Sequence, residues 1–295
     1  MSALPAVLVE AFAAGPLQGN GAAVVLLDRP AKASWMQGLA ASFRQSETAF
    51  LWQRGGEEWC LRWFTPTCEV PLCGHATLAA TLALGHWSRL KSGVVTPLAT
   101  RSGPLRVCLQ GTTAASLELP GGGLDPLPVP SVLEKLLGCT IESYWGSALG
   151  YRVALVADTV DLEAMPAPAG ALQGQDRQGL VLMQRASNRV TAQSITVLGV
   201  QPDYQLRFFA PGLGIDEDPV TGSAHALVAP WWMQQLNRAS VTGWQCSPRR
   251  GGMLCERGTA DQVRLSGTGH LLWGGLITAG PSGSDEDGWL SCRVD

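Results

Sequence analysis

A few side chains in this 295-residue chain could move protons. Glu47 lies in Arg44-Gln45-Ser46-Glu47-Thr48-Ala49-Phe50-Leu51, where Thr48–Trp52 reads as a strand entering the core. A carboxylate at the mouth of such a strand loses water, its pKa rises, and it becomes a candidate general base. If it stays in water, it is only a solvated strand end. Cys73 and His75 flank Gly74 where an apolar helical pattern begins. A thiolate is favoured at a helix start. A histidine there is expected to stay neutral, because the positive end of the helix dipole disfavours a second positive charge. The competing readings are a buried inert thiol and a capping imidazole. Asp216, Glu217 and Asp218 form an acidic run just before Pro219-Val220-Thr221-Gly222. Such a run could bind a cation, cap a helix, share a proton with a substrate amine, or simply be a solvated loop. Only four histidines are present, and no two fall at ligand spacing beside a third ligand. No metal is therefore expected. His225 reads as core.

These groups need elements to hold them. Apolar runs predict strands at Ala6–Phe12, Ala22–Leu27, Thr48–Trp52, Trp59–Phe64, Leu105–Leu109 and Ala115–Leu119. Further strands are expected at Arg152–Ala157, Gly179–Met183, Tyr204–Phe209, Gly243–Cys246, Gln262–Ser266 and Leu271–Thr278. Helical patterns cover Ala33–Ser42, Gly74–Leu90, Ser131–Leu137 and Ser223–Leu236, the last with a possible kink at Pro230. The strongest punctuation is Pro120-Gly121-Gly122-Gly123-Leu124-Asp125-Pro126, where a domain boundary is expected. This predicts an N-terminal domain over 1–119, joined by a final strand near 270–279. A C-terminal domain then covers 120–269, and 280–295 is a tail.

The chain repeats itself. Leu61-Arg62-Trp63-Phe64-Thr65-Pro66 resembles Leu206-Arg207-Phe208-Phe209-Ala210-Pro211. Cys73-Gly74-His75-Ala76 follows the first copy and Thr221-Gly222-Ser223-Ala224 the second. Each opens a helix of Ala, Leu, Val, Thr and Trp that is apolar all round, hence buried. A strand-rich domain with one buried helix implies a sheet wrapped around it. Each helix start presents free N–H groups, which suit an anion, and Gly74 and Gly222 let a ligand approach the backbone. Thr221 stands where the first copy has Cys73, so a two-thiol acid/base pair is not available.

Composition excludes several classes. Lys+Arg number 21 against 24 Asp+Glu, a net charge of -3, with no basic patch for nucleic acid. No apolar run is long enough for a membrane helix. The N-terminus lacks the basic segment of a signal peptide and reads as a first strand. None of the eight cysteines forms a C-x-x-C pair. Reduced thiols and a cytoplasmic location are expected.

The motifs Gly19-Asn20-Gly21-Ala22, Ser46-Glu47-Thr48-Ala49-Phe50, Arg62-Trp63-Phe64-Thr65-Pro66, Glu69-Val70-Pro71-Leu72-Cys73-Gly74-His75-Ala76 and Glu217-Asp218-Pro219-Val220-Thr221-Gly222-Ser223-Ala224-His225 resemble the PhzF (phenazine-biosynthesis) family. The resemblance spans nearly the whole chain. It implies an α+β fold like that of diaminopimelate epimerase, with two pseudo-symmetric domains, each a curved sheet around a central helix, and a site between them. It implies Glu47 as general acid/base and His75 and Asp218 as further catalytic groups. Cys73, Gly74, Gly222, Ser223 and Asn20 would contact a small carboxylate substrate. It implies no cofactor, no nucleic-acid or membrane partner, and a homodimer, with which surplus apolar surface at Trp231 and Trp232 is consistent. The expected activity is an isomerase that moves a proton within its substrate. Glu47 is expected to have a raised pKa, pushed further by Asp218. The alternatives are a racemase or epimerase in which Cys73 is one of two acid/base groups, and a binding protein of the same fold without catalysis.

Overall fold

The computed structural model describes residues 3–186, 195–281 and 283. The expected tail, except Gly280, Pro281 and Gly283, therefore lies outside the described residues. The chain divides into two compact units. One comprises Met1–Ala11, Asn20–Leu117 and Thr268–Asp295, and the other Phe12–Gly19 and Glu118–Gly267. Among the described residues, no helix is long and apolar enough to cross a membrane.

The first unit contains β1 (Leu4–Ala11), β2 (Asn20–Leu26), α1 (Ala33–Phe43), β3 (Glu47–Arg54), β4 (Glu58–Phe64), β5 (Glu69–Val70), α2 (Gly74–His86), β6 (Val95–Thr100), β7 (Gly103–Leu109) and β8 (Ala114–Pro120), which runs on into the second. β1 pairs antiparallel with β2, β2 parallel with β3, β3 antiparallel with β4, and β4 parallel with β6. β6, β7 and β8 continue antiparallel. Residues Gly74 to Leu84 of α2 are all buried, and the helix packs on β1, β2, β3 and β7. Its run of Ala and Thr keeps it thin. Thr77 and Thr81 return their hydroxyl protons to Cys73 O at 2.5 Å and Thr77 O at 2.8 Å, so no buried donor is left over. α1 covers the other face, where Met36 and Ala40 pack with Val25, Phe50, Trp52 and Phe64.

The second unit contains β9 (Asp125–Leu127), α3 (Ser131–Leu137), β10 (Ile141–Gly146), β11 (Arg152–Val156), β12 (Leu180–Arg185), β13 (Tyr204–Ala210), β14 (Ile215–Asp218), α4 (Gly222–Gln235), β15 (Ser240–Gln245), β16 (Gly251–Arg257) and the start of β17 (Gln262–Ile277). β10 pairs antiparallel with β11, β11 parallel with β12, β12 antiparallel with β13, β13 parallel with β15, and β15 to β17 antiparallel. This order repeats that of the first unit strand for strand, so the repeated motif reflects a repeated topology. α4 continues through Pro230 to Gln235. The second half of β17 pairs antiparallel with β1, from Leu271 opposite Val9 to Ile277 opposite Leu4.

Two glycine-rich stretches make close tertiary contacts. Gly121 and Gly122 are packing positions. A Cβ on Gly122 would lie 2.3 Å from Leu227 of α4, and the Gly121 N–H donates to Asp261 O at 2.9 Å. Gly251-Gly252 opens β16, which the strand patterns missed. A Cβ on Gly251 would meet Phe12 O at 2.1 Å, so tertiary contact requires glycine inside this strand.

The turn before each buried helix is pinned by an ion pair. Arg62 on β4 binds Glu69 on β5 through two bonds of 2.7 and 2.8 Å. Arg207 on β13 binds Glu217 on β14 through two of 2.7 Å. Each guanidinium also lies over a ring on its own strand, Phe64 at 5.3 Å and Phe209 at 5.0 Å. Arg62 is 2% exposed and Glu69 8%. Losing one partner strands a buried charge, so Glu69→Gln is expected to cost about 3–5 kcal/mol. Arg101 also pairs with Glu69, 3.2 Å from its Oε2, so the double change Arg62→Met with Glu69→Leu should recover only the part of the cost due to Arg62. Urea denaturation of the three proteins checks this.

Candidate active site

Side-chain alternation along β3 decides where Glu47 goes. Phe50 and Trp52 pack with α1, so Glu47, Ala49 and Leu51 face the other way, toward α2. β2 sends Asn20 to the same face by the same rule, because Val25 lies on the α1 side. The α2 start supplies Cys73 as the residue before the helix, then Gly74 and His75.

These groups meet in the first unit. His75 Nε2 lies 3.0 Å from Glu47 Oε2 and 3.1 Å from Ser46 Oγ. Asn20 Nδ2 is 3.3 Å from His75 Nδ1. Cys73 Sγ is 3.5 Å from Nδ1 and 3.9 Å from Nε2. Ser46 Oγ is also 3.0 Å from Asn20 Oδ1 and 3.0 Å from Gly21 O. Glu47 is 8% exposed, His75 6% and Cys73 7%. Glu47 Oε2 meets the imidazole off the hydrogen-bonding axis and has no aligned partner among the described residues.

The electrostatics reverse two expectations. Burial raises the Glu47 pKa, as anticipated. The charge of His75, with the neighbouring Ser46 and Cys73, outweighs burial and holds the carboxyl below its usual range. Burial likewise opposes charge on His75, but its interactions with Cys73 and Glu47 together raise the imidazole well above its usual range. The pair is therefore a buried carboxylate–imidazolium, and the helix-dipole argument for a neutral His75 fails because a full charge at 3.0 Å exceeds a partial one. Burial, then the Glu47 charge, push the Cys73 thiol up.

Glu47, Cys73 and His75 present one donor atom each within 4.8 Å of one another, a separation that a divalent ion could bridge. Ligation would need a neutral imidazole and a thiolate. A metal would therefore have to displace the protons that these two groups hold.

In the second unit the acidic run separates. Glu217 is held by Arg207, and Asp216 is exposed. Asp218 is 8% exposed, and its Oδ2 accepts the Thr221 hydroxyl at 2.5 Å. Gln245, absent from the sequence candidates, ties this loop together. Its Oε1 accepts the Thr221 N–H at 2.8 Å and its Nε2 donates to Asp218 O at 2.6 Å. Gly222 opens α4, and Ser223 Oγ lies 3.3 Å from the Tyr151 hydroxyl. His225 is core: burial pushes it down to about 3, and its Nδ1 is 2.8 Å from the Tyr204 hydroxyl. All seven described cysteines are free, and Cys292 lies outside the described residues.

Folded-state values of Glu47 below and His75 above their unfolded ones have definite consequences. The Glu47 contribution to stability is present above the unfolded carboxyl pKa and is lost as pH falls through the folded value. The His75 contribution is present below the unfolded imidazole pKa and is lost as pH rises through the folded value. In a nitrogen-15 NMR titration, His75 should stay protonated above pH ~6.5. Glu47→Gln should move its titration downward, since burial then acts with less opposition.

The sequence matches the PhzC-PhzF family, described as phenazine biosynthesis-like protein, over residues 9–120 and 176–275. It is 37% identical over 269 residues to an uncharacterized isomerase of Pseudomonas aeruginosa, covering 91% of this chain and 96% of the relative. The crystal structure of a PhzF-family protein of Enterococcus faecalis superposes with a TM-score of 0.81 at 30% identity, covering 94% of this chain and 99% of that one. A predicted epimerase of Pseudomonas aeruginosa shares the fold, with a TM-score of 0.69 at 20% identity over 94% of this chain and 100% of that one. The fold is thus α+β and of the diaminopimelate epimerase type. An isomerase of unspecified reaction, the chain belongs to the PhzC-PhzF family of phenazine biosynthesis-like proteins.

Proposed function

We propose that this isomerase moves a proton within a small carboxylate-containing molecule by acid/base catalysis at Glu47, without a cofactor. The observation that carries the reading is the Glu47 carboxylate itself. It is buried and ionised, set against one imidazolium, and has an oxygen free of aligned hydrogen bonds. Such an oxygen can accept a proton from a carbon activated by a neighbouring carbonyl or double bond. His75 holds the carboxylate charged and, once Glu47 is protonated, leaves a positive charge beside the developing anion. An anionic substrate competes for the same imidazolium, which weakens its hold on Glu47 and raises the basicity of the carboxylate. Ser46 and Asn20 orient the ring.

Deuterium uptake from heavy water into a panel of small carboxylates with activated C–H bonds, followed by mass spectrometry, tests this. Glu47→Gln should slow uptake by a factor on the order of 10²–10⁴. Equal uptake by both proteins would remove Glu47 from proton transfer.

We also infer a homodimer, on different grounds from those suggested by the sequence. Trp231 and Trp232 pack within their own unit, edge-on to each other at 4.8 Å, with Trp145 at 5.4 Å from Trp231 and Tyr204 stacked on Trp232. The surplus apolar surface lies on β17 instead, where Leu271, Leu272, Trp273 and Leu276 are all exposed. Light scattering at micromolar concentration should return twice the 31.2 kDa chain mass. Leu276→Lys should lower it, and a monomeric wild type would refute the inference.

A further inference from the structure

The proposed role of Glu47 leaves the thiol beside it unused. Cys73 and Thr221 hold the same place in the two repeats, each the residue before the first residue of a buried helix. They are not chemically equivalent. The Thr221 hydroxyl already donates to Asp218 at 2.5 Å. Cys73 instead shares an imidazole with a carboxylate. Its Sγ is 3.5 Å from His75 Nδ1, while Glu47 Oε2 is 3.0 Å from Nε2. One cation therefore lies between two groups that can each become an anion. Glu47 from β3 and His75 from α2 are the titratable groups that act on the thiol, and the Ala76 N–H also points to the sulfur.

We propose that Cys73 is the proton donor paired with Glu47, the two being coupled through His75. The inference rests on the acid/base reading of Glu47 and extends it. While Glu47 is a carboxylate, it claims the imidazolium and repels charge on the sulfur, so Cys73 keeps its proton. When Glu47 takes a proton from substrate carbon, it becomes neutral and that repulsion ends. The imidazolium and the Ala76 N–H then favour the thiolate, and Cys73 turns acidic at the moment a proton is needed. The C–H bond breaks toward Glu47, and its electron pair shifts along the substrate. A new C–H bond forms with the Cys73 proton, leaving a thiolate. Passage of the Glu47 proton to that thiolate, with His75 between them, restores the starting state. The proton added is thus not the one removed. Both proton carriers belong to one unit, which fits a shift along the substrate rather than the two-thiol inversion that the Cys73/Thr221 mismatch precludes.

The coupling can be read without a substrate. Methyl methanethiosulfonate is small and uncharged. The Cys73 thiolate forms an S–S bond with it and methanesulfinate leaves, so the rate follows the thiolate fraction. Peptide mass spectrometry would follow Cys73 in the full-length wild type, Glu47→Gln, Glu47→Ala and His75→Gln, with Cys73→Ser as the blank. Removing the Glu47 charge should accelerate Cys73 labelling by on the order of tenfold, the effect of one pKa unit. His75→Gln should slow it. Buried Cys60, Cys246 and Cys255 report unfolding, because they should remain unlabelled in every folded variant. If both Glu47 variants expose those thiols, His75→Gln decides alone, and a rate equal to or above wild type overturns the proposal. In folded Glu47 variants, an unchanged or slower rate overturns it. If Glu47→Gln abolishes deuterium uptake but leaves the thiol rate unchanged, only the Cys73 coupling fails. If it leaves uptake intact, the acid/base reading itself fails.

Discussion

Taking Arg62 and Glu69 out of water is costly, and their attraction offsets that cost only with good geometry. Here the geometry is two-pronged and the guanidinium also has an aromatic face beneath it. What the pair secures is the path of the chain between β4 and α2. β5 is only two residues long, too short to hold by its ladder alone. The pair ties it down, and three residues later Cys73 caps the start of the helix. Arg207 and Glu217 do the same work for the short β14 ahead of Thr221 and α4. Each buried helix therefore starts at a defined place, and the groups at that start inherit the precision.

The site in the first unit is governed by how few positive charges it contains. One imidazolium lies among a carboxylate, a thiol and the uncharged Ser46 and Asn20. Burial alone would neutralise each titratable member. The ion pair prevails because the partners are in contact and both lie out of water, where Coulomb attraction is least screened. The second unit, built on the same strand order, carries Thr221 and Ser223 where the first has Cys73 and His75. Its Asp218 is held by a hydroxyl and by the loop that Gln245 braces. Duplication supplied two similar helix starts, and substitution at a few positions gave only one of them a carboxylate, an imidazole and a thiol in contact.

Much of this was legible along the chain. The buried helices read as apolar on all sides, and the strands around them followed from alternation. The repeat Leu61-Arg62-Trp63-Phe64 against Leu206-Arg207-Phe208-Phe209 anticipated the doubled topology. The partners of those arginines were harder to see, because Glu69 and Glu217 stand at different distances along the chain from Arg62 and Arg207. Tyr151 carried no local signal, and the roles of Gln245 and Ser46 were not apparent, since each acts through a residue remote in sequence. β16 was missed because two glycines at its start carry no strand pattern; their need for glycine comes from the carbonyl of Phe12 packed against Gly251.

The sequence by itself determined the fold class, the two helix starts and the candidates Glu47, Cys73, His75 and Asp218, because periodicity and motif spacing are local properties. Only the tertiary structure decided the protonation states. Whether Glu47 is pushed up by burial or held down by a neighbour depends on the distance to His75, which is set by the packing of β3 against α2. The same packing placed the thiol against the imidazole and divided the acidic run between Arg207 and Thr221. Charge interactions at 3 Å override dipole and desolvation tendencies, and no spacing along a chain reports a distance across it.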